Sequence, residues 1–262
     1  MKRIMMEVSY DGTNYHGWQI QKNGITIESE LNRVIGKLTG ERIHVIGASR
    51  TDSGVHALCN IAVFDTESRI PGEKFSFAIN QRLPEDIQIR NSMEVPLDFH
   101  PRKCKSIKTY QYKILNTKFP IPTKRLESYF YYYPLDLEKM KRAAECLCGE
   151  HDFIAFSNQK TQAGTTVRTI TAIDVQRDAD MIIITISGTG FLYNMVRLIV
   201  GTLMRVGRDF YPPEYVKEIL ESRDRSKSGP VAPANGLTLK SYQFLDQNAY
   251  LSKKKVDTRE SV

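Results

Sequence analysis

The apolar residues of this chain fall into blocks of strand and helix periodicity whose order is not the regular strand–helix alternation of a fully parallel sheet. Arg3 to Tyr10 alternates as a strand and ends at the Asp11-Gly12 turn. Ile27, Leu31, Val34, Ile35 and Leu38 follow helical spacing, with Gly40 as the stop. Ile43 to Ile46 reads as a strand that leads into a polar loop, and Asn60 to Phe64 as the strand after it. Glu73 to Asn80 is helical and Asp86 to Met93 extended. In the second half, Lys108 to Leu115 is a strand with Tyr110, Tyr112 and Ile114 in alternation. Leu137 to Leu147 is a helix, Val167 to Val175 and Met181 to Ser187 pair as strands, and Phe191 to Val206 is the longest helical pattern. Tyr215 to Leu220 makes a short helix and Thr238 to Phe244 a final strand. Several strands and two helices per half predict an α+β fold with a largely antiparallel sheet.

The same pattern suggests an N-terminal α/β domain over 1–104 and a C-terminal α/β domain over 105–247. Residues 248–262, with Lys253, Lys254 and Lys255, read as a basic, disordered tail. Asn116 to Pro134 holds three prolines and no clear period, so it is the candidate linker or long excursion. Within it, Tyr129 to Tyr133 reads as a strand with one face buried, or as a platform for stacking bases.

Charge bounds the partners. Lys and Arg outnumber Asp and Glu by 37 to 30, for a net +7, which favours a polyanion such as nucleic acid or a membrane surface. Glu7 interrupts the start too early for a signal peptide, and no apolar run is long enough to span a bilayer. A cytoplasmic protein without membrane association is expected. Of the four cysteines, Cys146 and Cys148 point to different faces of the helix expected there, while Cys59 and Cys104 stand apart. Free thiols fit better than a zinc site or disulfides. The five histidines suggest no metal site either.

Arg50-Thr51-Asp52-Ser53-Gly54-Val55-His56-Ala57 is the densest polar cluster, and it joins two apolar strands. Arg50 can pair with Asp52 and hold it as a carboxylate, a nucleophile or electrostatic stabiliser rather than a general acid. On residue types alone, a structural Asp in an Asx-turn tied down by a surface arginine is the plainer reading. Asp52-Ser53-Gly54 also matches the tripeptide of aspartic proteases, which need two carboxylates sharing one proton. A nearby arginine opposes that sharing, and the chain has no second copy of the tripeptide. Arg197 lies on an otherwise apolar helix beside Met195 and Val196, and a charge buried there needs a partner.

The loop resembles the signature Gly-Arg-Thr-Asp-Ala-Gly-Val-His-Ala of the TruA family of tRNA pseudouridine synthases. Further blocks follow in the same order. They are Tyr10-Asp11-Gly12 with Gly17-Trp18-Gln19, Asn80 with Leu83-Pro84 and Asp86-Ile87, and Phe99-His100 with Arg102. Then come Lys108-Thr109-Tyr110 with Tyr112, Gly149 with His151-Asp152-Phe153 and Phe156, Phe191-Leu192 with Met195-Val196-Arg197 and Gly201, and Gly236-Leu237. So many spaced blocks, collinear over roughly residues 4 to 245, make the resemblance specific where any one block is weak. Ser49 and Ser53 depart from the family's commoner glycine and alanine, and Ser49 puts the loop backbone in question. The stretch after the loop lacks the usual Gln and His, and Lys103 and Lys105 replace more apolar or small residues.

The resemblance implies two α/β domains sharing a mainly antiparallel sheet, with a cleft between them. It implies isomerisation of uridine at positions 38 to 40 of tRNA without a cofactor, by a homodimer. Asp52 falls on the nucleophile, Arg197 on its ion-pair partner, and Tyr110 on the active-site tyrosine that stacks on uracil and helps remove the C5 proton. Arg50 falls on the arginine that fills the space of the flipped base, and Leu237 on an apolar pocket residue. Thr51, beside Asp52, counts with the substrate-binding residues. Arg102 and Lys108, with Lys103, Lys105, Lys139, Lys141 and Arg142, are candidates for RNA contact or for a plain solvated face. His56 and His100 are expected to be structural hydrogen-bonders. The competing class is a non-catalytic RNA-binding protein on the same fold.

Overall fold

A computed structural model describes residues 1–158 and 164–246. The tail expected over 248–262 lies outside the described residues. In chain order the elements are β1 (Lys2–Tyr10), α1 (Ile27–Thr39), β2 (Ile46–Gly47), β3 (His56–Thr66), α2 (Phe75–Asn80), β4 (Ile87–Val95) and β5 (Ser106–Leu115). There follow β6 (Tyr129–Phe130), α3 (Leu137–Glu145), β7 (Gly149–Asp152), β8 (Val167–Asp178), β9 (Met181–Gly188), α4 (Met195–Gly207), α5 (Tyr215–Ser222) and β10 (Leu237–Phe244). The strands form one mixed, mostly antiparallel sheet in the order β4-β1-β3-β10-β5-β9-β8-β7, with β2 beside β3 and β6 beside β5. No helix among the described residues is long and apolar enough to cross a membrane.

β10, from the C-terminal end, inserts between the strands of the two halves. It pairs antiparallel with β5 over most of its length but parallel with β3 at two positions only, Thr238 opposite His56 and Leu239 opposite Ala57. The halves of the sheet therefore share a narrow seam. Both sheet faces of the first half are covered, which is why β1 buries residues of both parities: Ile4, Met6 and Val8 join the main core, and Met5 a smaller cluster with Val63, Phe99 and Phe244.

Local chemistry accounts for both ends of α1. Thr26 caps α1 in a reciprocal pair with Ser29, and Gly40 ends it in the left-handed region at φ 75°. α4 is almost wholly buried. It begins at Met195 rather than at Phe191, because Asn194 adopts a left-handed conformation (φ 60°) and breaks the pattern. Other expectations are corrected as well. The strand expected over Ile43–Ile46 shrinks to β2, and β3 starts at His56, inside the polar loop. Helix α3 stops at Glu145, so Cys146 caps it and Cys148 lies beyond, and β7 was not read from the sequence. Within the Pro-containing excursion only Tyr129–Phe130 pairs as a strand, parallel to β5. Tyr132 and Tyr133 remain exposed, and Arg208 lies over Tyr133 at 3.7 Å from the ring centroid.

Candidate active site

The polar loop sits beside the narrow seam, between β2 and β3. Its backbone is held from several sides. Asn60 of β3, fully buried, accepts from the Ser49 N–H at 3.2 Å and donates to the Ser49 carbonyl at 2.9 Å. The Trp18 N–H donates to the Thr51 carbonyl at 3.0 Å, and the Gly54 N–H to the Tyr15 carbonyl at 3.3 Å. Gly54 turns the chain at φ 76°, and Gly17 passes so close that a Cβ there would lie 2.6 Å from the Thr51 carbonyl oxygen. The Thr51 hydroxyl is buried and shares a 2.8 Å hydrogen bond with the Tyr10 hydroxyl, so its side chain anchors the loop. Ser53 uses its hydroxyl on the Tyr15 carbonyl at 3.2 Å. Ser49 takes no positive φ, so a side chain fits the backbone there. Its hydroxyl is buried and makes no formed hydrogen bond among the described residues, although it lies near enough to the Tyr110 hydroxyl to act on it.

Asp52 pairs across the seam with Arg197 on α4, at 3.3 Å from Nη1 to Oδ2. The guanidinium is aimed by two further bonds, Nε to the Ala232 carbonyl at 2.7 Å and Nη1 to Asn194 Oδ1 at 3.1 Å. The left-handed turn at Asn194 thus both starts the helix and supplies a partner for its arginine. Arg50, the nearer partner in sequence, is exposed and forms no ion pair among the described residues. It lines a cavity of about 110 Å³ with Trp18, His44, Gly47 and Arg102. No second carboxylate bears on Asp52, so the dyad of an aspartic protease is not formed among the described residues. Burial pushes the Asp52 carboxyl above its ordinary value, while the charge and hydrogen bond of Arg197 oppose the rise. That corrects the expectation that an arginine alone sets the balance, since desolvation is the larger cause.

Tyr110 stands on β5 opposite Leu239 of β10 and Ile186 of β9. Its ring meets Phe191 edge to face at 5.2 Å and 85°. Burial, with Tyr10 and Asp52 nearby, raises its hydroxyl well above the ordinary phenol value, and Ser49 acts in the opposite direction. At neutral pH Tyr110 is therefore a phenol that offers a ring and an O–H donor. Leu237, buried, begins β10 opposite Tyr112. Lys108 is half-buried two residues before Tyr110, and Arg102 is exposed in the preceding loop.

The two histidines make the bonds expected of structural groups. His56 Nδ1 accepts from the Gly12 N–H at 3.1 Å and its other nitrogen faces the Asn235 carbonyl at 3.3 Å, while His100 Nδ1 accepts from the Arg102 N–H at 3.2 Å. Sequence reasoning missed Asn60, Tyr10 and Asn194. Asn60 had a signal, since an amide inside the apolar run Ile61-Ala62-Val63-Phe64 and its flank needs a buried partner.

Comparison with known proteins gives the family. The profile of the family described as tRNA pseudouridine synthase matches residues 6–102 and 143–244, which include Asp52 and Arg197, while Tyr110 falls between the two matched parts. The tRNA pseudouridine synthase A of Acetivibrio thermocellus is 48% identical over 239 residues, covering 91% of this chain and 98% of the relative. That of Thermoanaerobacter pseudethanolicus is 47% identical with the same coverage. The tRNA pseudouridine synthase A 2 of Clostridium tetani is 49% identical over 241 residues, covering 91% of this chain and 97% of the relative. A profile matched on both sides of β5, with relatives aligned nearly end to end, means that the chain belongs to the tRNA pseudouridine synthase family.

Proposed function

We propose that the protein isomerises uridine to pseudouridine at positions 38 to 40 of the anticodon stem-loop of tRNA, in the cytoplasm and as a homodimer. On this reading the chain has two lobes, divided near residue 104, with Asp52 from the first beside Arg197 from the second across the seam. In the reaction the N1–C1′ bond breaks and a C5–C1′ bond forms, with N1 gaining and C5 losing a proton. No atom is added or lost, and no redox change takes place. Reaching a stacked uridine means flipping it out, at a cost of about a few kcal/mol. Arg50, exposed beside the loop, fills the vacated space in the RNA. Tyr110 stacks on the uracil and donates its hydroxyl hydrogen, and Leu237 closes the apolar wall. Thr51 fixes the loop beside the substrate, and Arg102 and Lys108 meet the RNA backbone. Asp52 acts on the ribose, whether by direct attack or by elimination.

The observation that carries this reading is the Asp52–Arg197 pair, a half-buried carboxylate met by a guanidinium that Ala232 and Asn194 aim at it. The test is purified protein with a pool of unmodified tRNA, followed by pseudouridine mapping. Conversion at positions 38 to 40 is expected. Binding of tRNA with every uridine left intact would turn the reading into that of a non-catalytic RNA-binding protein. The dimer is checked by sedimentation velocity, where a monomer at micromolar concentration refutes it.

A further inference from the structure

Lys108 and Arg168 are half-buried cations on strands of one sheet, and neither meets a carboxylate among the described residues. Other cations here do: Arg3 grips Asp65 at 2.7 and 2.8 Å, Arg33 meets Glu30 at 2.6 Å, and Arg197 meets Asp52. Lys108 has no carboxylate partner among the described residues. Its Nζ lies instead over the Tyr242 ring, 5.4 Å from the centroid. Arg168, on β8, donates from Nη1 to the carbonyls of Thr165 and Val167 at 2.9 and 2.6 Å, and its stem runs beside Gly190. These carbonyls orient the guanidinium but leave its charge uncancelled. Arg102 comes from the loop before β5, where it also lines the cavity beside Arg50.

The register explains how Lys108 and Arg168 converge, and Arg102 reaches close enough for its charge to act on Lys108. Lys108 pairs with Tyr242 of β10 on one side and Gly188 of β9 on the other, and Gly188 in turn pairs with Ile170 of β8. Arg168 lies two residues along β8 from that row. Lys108 also shares a strand face with Tyr110, one side-chain step away. We propose that Lys108, Arg168 and Arg102 form a seat for one backbone phosphate of the RNA, next to the pocket that receives the target uridine.

The electrostatics support the placement. Gathering two arginines around a half-buried lysine with no acid is unfavourable in the free protein, and an anion removes that cost. Burial first, then the like charges of Arg168 and Arg102, push Lys108 down to about 8. The groups that face it are those two arginines and the Tyr242 ring, since Gly188 contributes no side chain. A phosphate favours the charged lysine, so binding holds the proton on, and affinity falls as pH rises past the value of the free protein.

The inference rests on RNA being the substrate, as proposed above, and the tests of the two are separable. Affinity for unmodified tRNA is measured for wild type, K108M, R168M, R102M and K108R, against salt and between pH 7 and 9, and each preparation is also assayed for pseudouridine. Each methionine variant is expected to lower the slope of log affinity against log salt, by about one at most and not additively, because the three cations share one phosphate. Wild-type affinity is expected to fall about threefold to tenfold from pH 7 to 9, as discharge of a lysine near 8 dictates, and K108R to stay level. Unchanged salt slopes in K108M and R168M overturn the proposal, as does a pH dependence that persists in K108R. So does a seat for free phosphate alone, seen as thermal stabilisation by inorganic phosphate with tRNA affinity unaltered in K108M. Absence of pseudouridine from wild type, with the binding results as expected, removes the catalytic reading and leaves the seat standing.

Discussion

Asp52→Asn is expected to abolish pseudouridine formation, lowering the single-turnover rate by at least about 10³-fold, while tRNA affinity stays within about threefold of wild type. The same variant is expected to melt no lower than wild type at pH 7. The reason lies in the direction of the carboxyl's shift. Burial raises it, so the folded protein holds that proton more readily than the unfolded chain does. The favourable contribution is present at low pH and is lost as pH rises through the folded value, so the ionised Asp52 costs stability at neutral pH. Asparagine removes the charge, keeps an oxygen for Arg197 and abolishes the reaction. Thermal unfolding and a conversion assay on one preparation test both halves. A melting point several degrees lower, or conversion near the wild-type rate, contradicts the assignment of Asp52.

Arg197→Met acts in the opposite sense. It strands Asp52 in a site where the side chain is 18% exposed, and it deletes the bonds to Ala232 and Asn194. The expected loss of stability is about 2–3 kcal/mol, below the range for a fully buried pair because both partners keep some solvent. Without the opposing charge, burial raises the Asp52 carboxyl further, so a larger share of the protein is protonated and inactive on the acid side of the profile. The rate at pH 7 is expected to fall about 100-fold or more and to recover partly as pH rises toward 9. The acid limb of the rate profile therefore moves upward. An Arg197→Met protein with the wild-type profile shows that the pair is structural only.

Both expectations concern a contact that sequence reasoning reached by two routes with different reliability. Opposite charge at short separation pointed to Arg50, and that pairing is absent, because the tight loop turns Arg50 outward while Asp52 points across the seam. The collinear family blocks, and the oddity of an arginine on an apolar helix, pointed to Arg197. Periodicity located β1, α1, β5, β8, β9 and α5 closely, since each buries a face set by its own side-chain spacing. It failed where neighbours decide. Ile43 to Ile46 has strand character but finds β3 only at its last residue, with Gly47 packed so tightly on Trp18 that a Cβ would come within 2.3 Å of the indole. The start of α4 depends on one left-handed asparagine whose side chain answers to Arg197. Asn60 clamps a backbone eleven residues away, and no local pattern announces that. Nothing in the spacing of Thr238 to Phe244 tells that this strand lies at the middle of the sheet.

That central position of β10 bears on how the chain acquires activity as it is made. The seam joins His56 to Thr238 and Ala57 to Leu239, contacts separated by most of the sequence. Long-range pairings of this kind form late, because the chain between them must first be ordered. During synthesis the N-terminal strands can assemble while β10 is still within the ribosome, and Asp52 then exists without Arg197 or Tyr110 in place. A nascent chain released early would carry the carboxylate loop but no assembled pocket. Competence is thus tied to the emergence of the last described strand, and a chain ending before Leu237 is inert however well its first half folds.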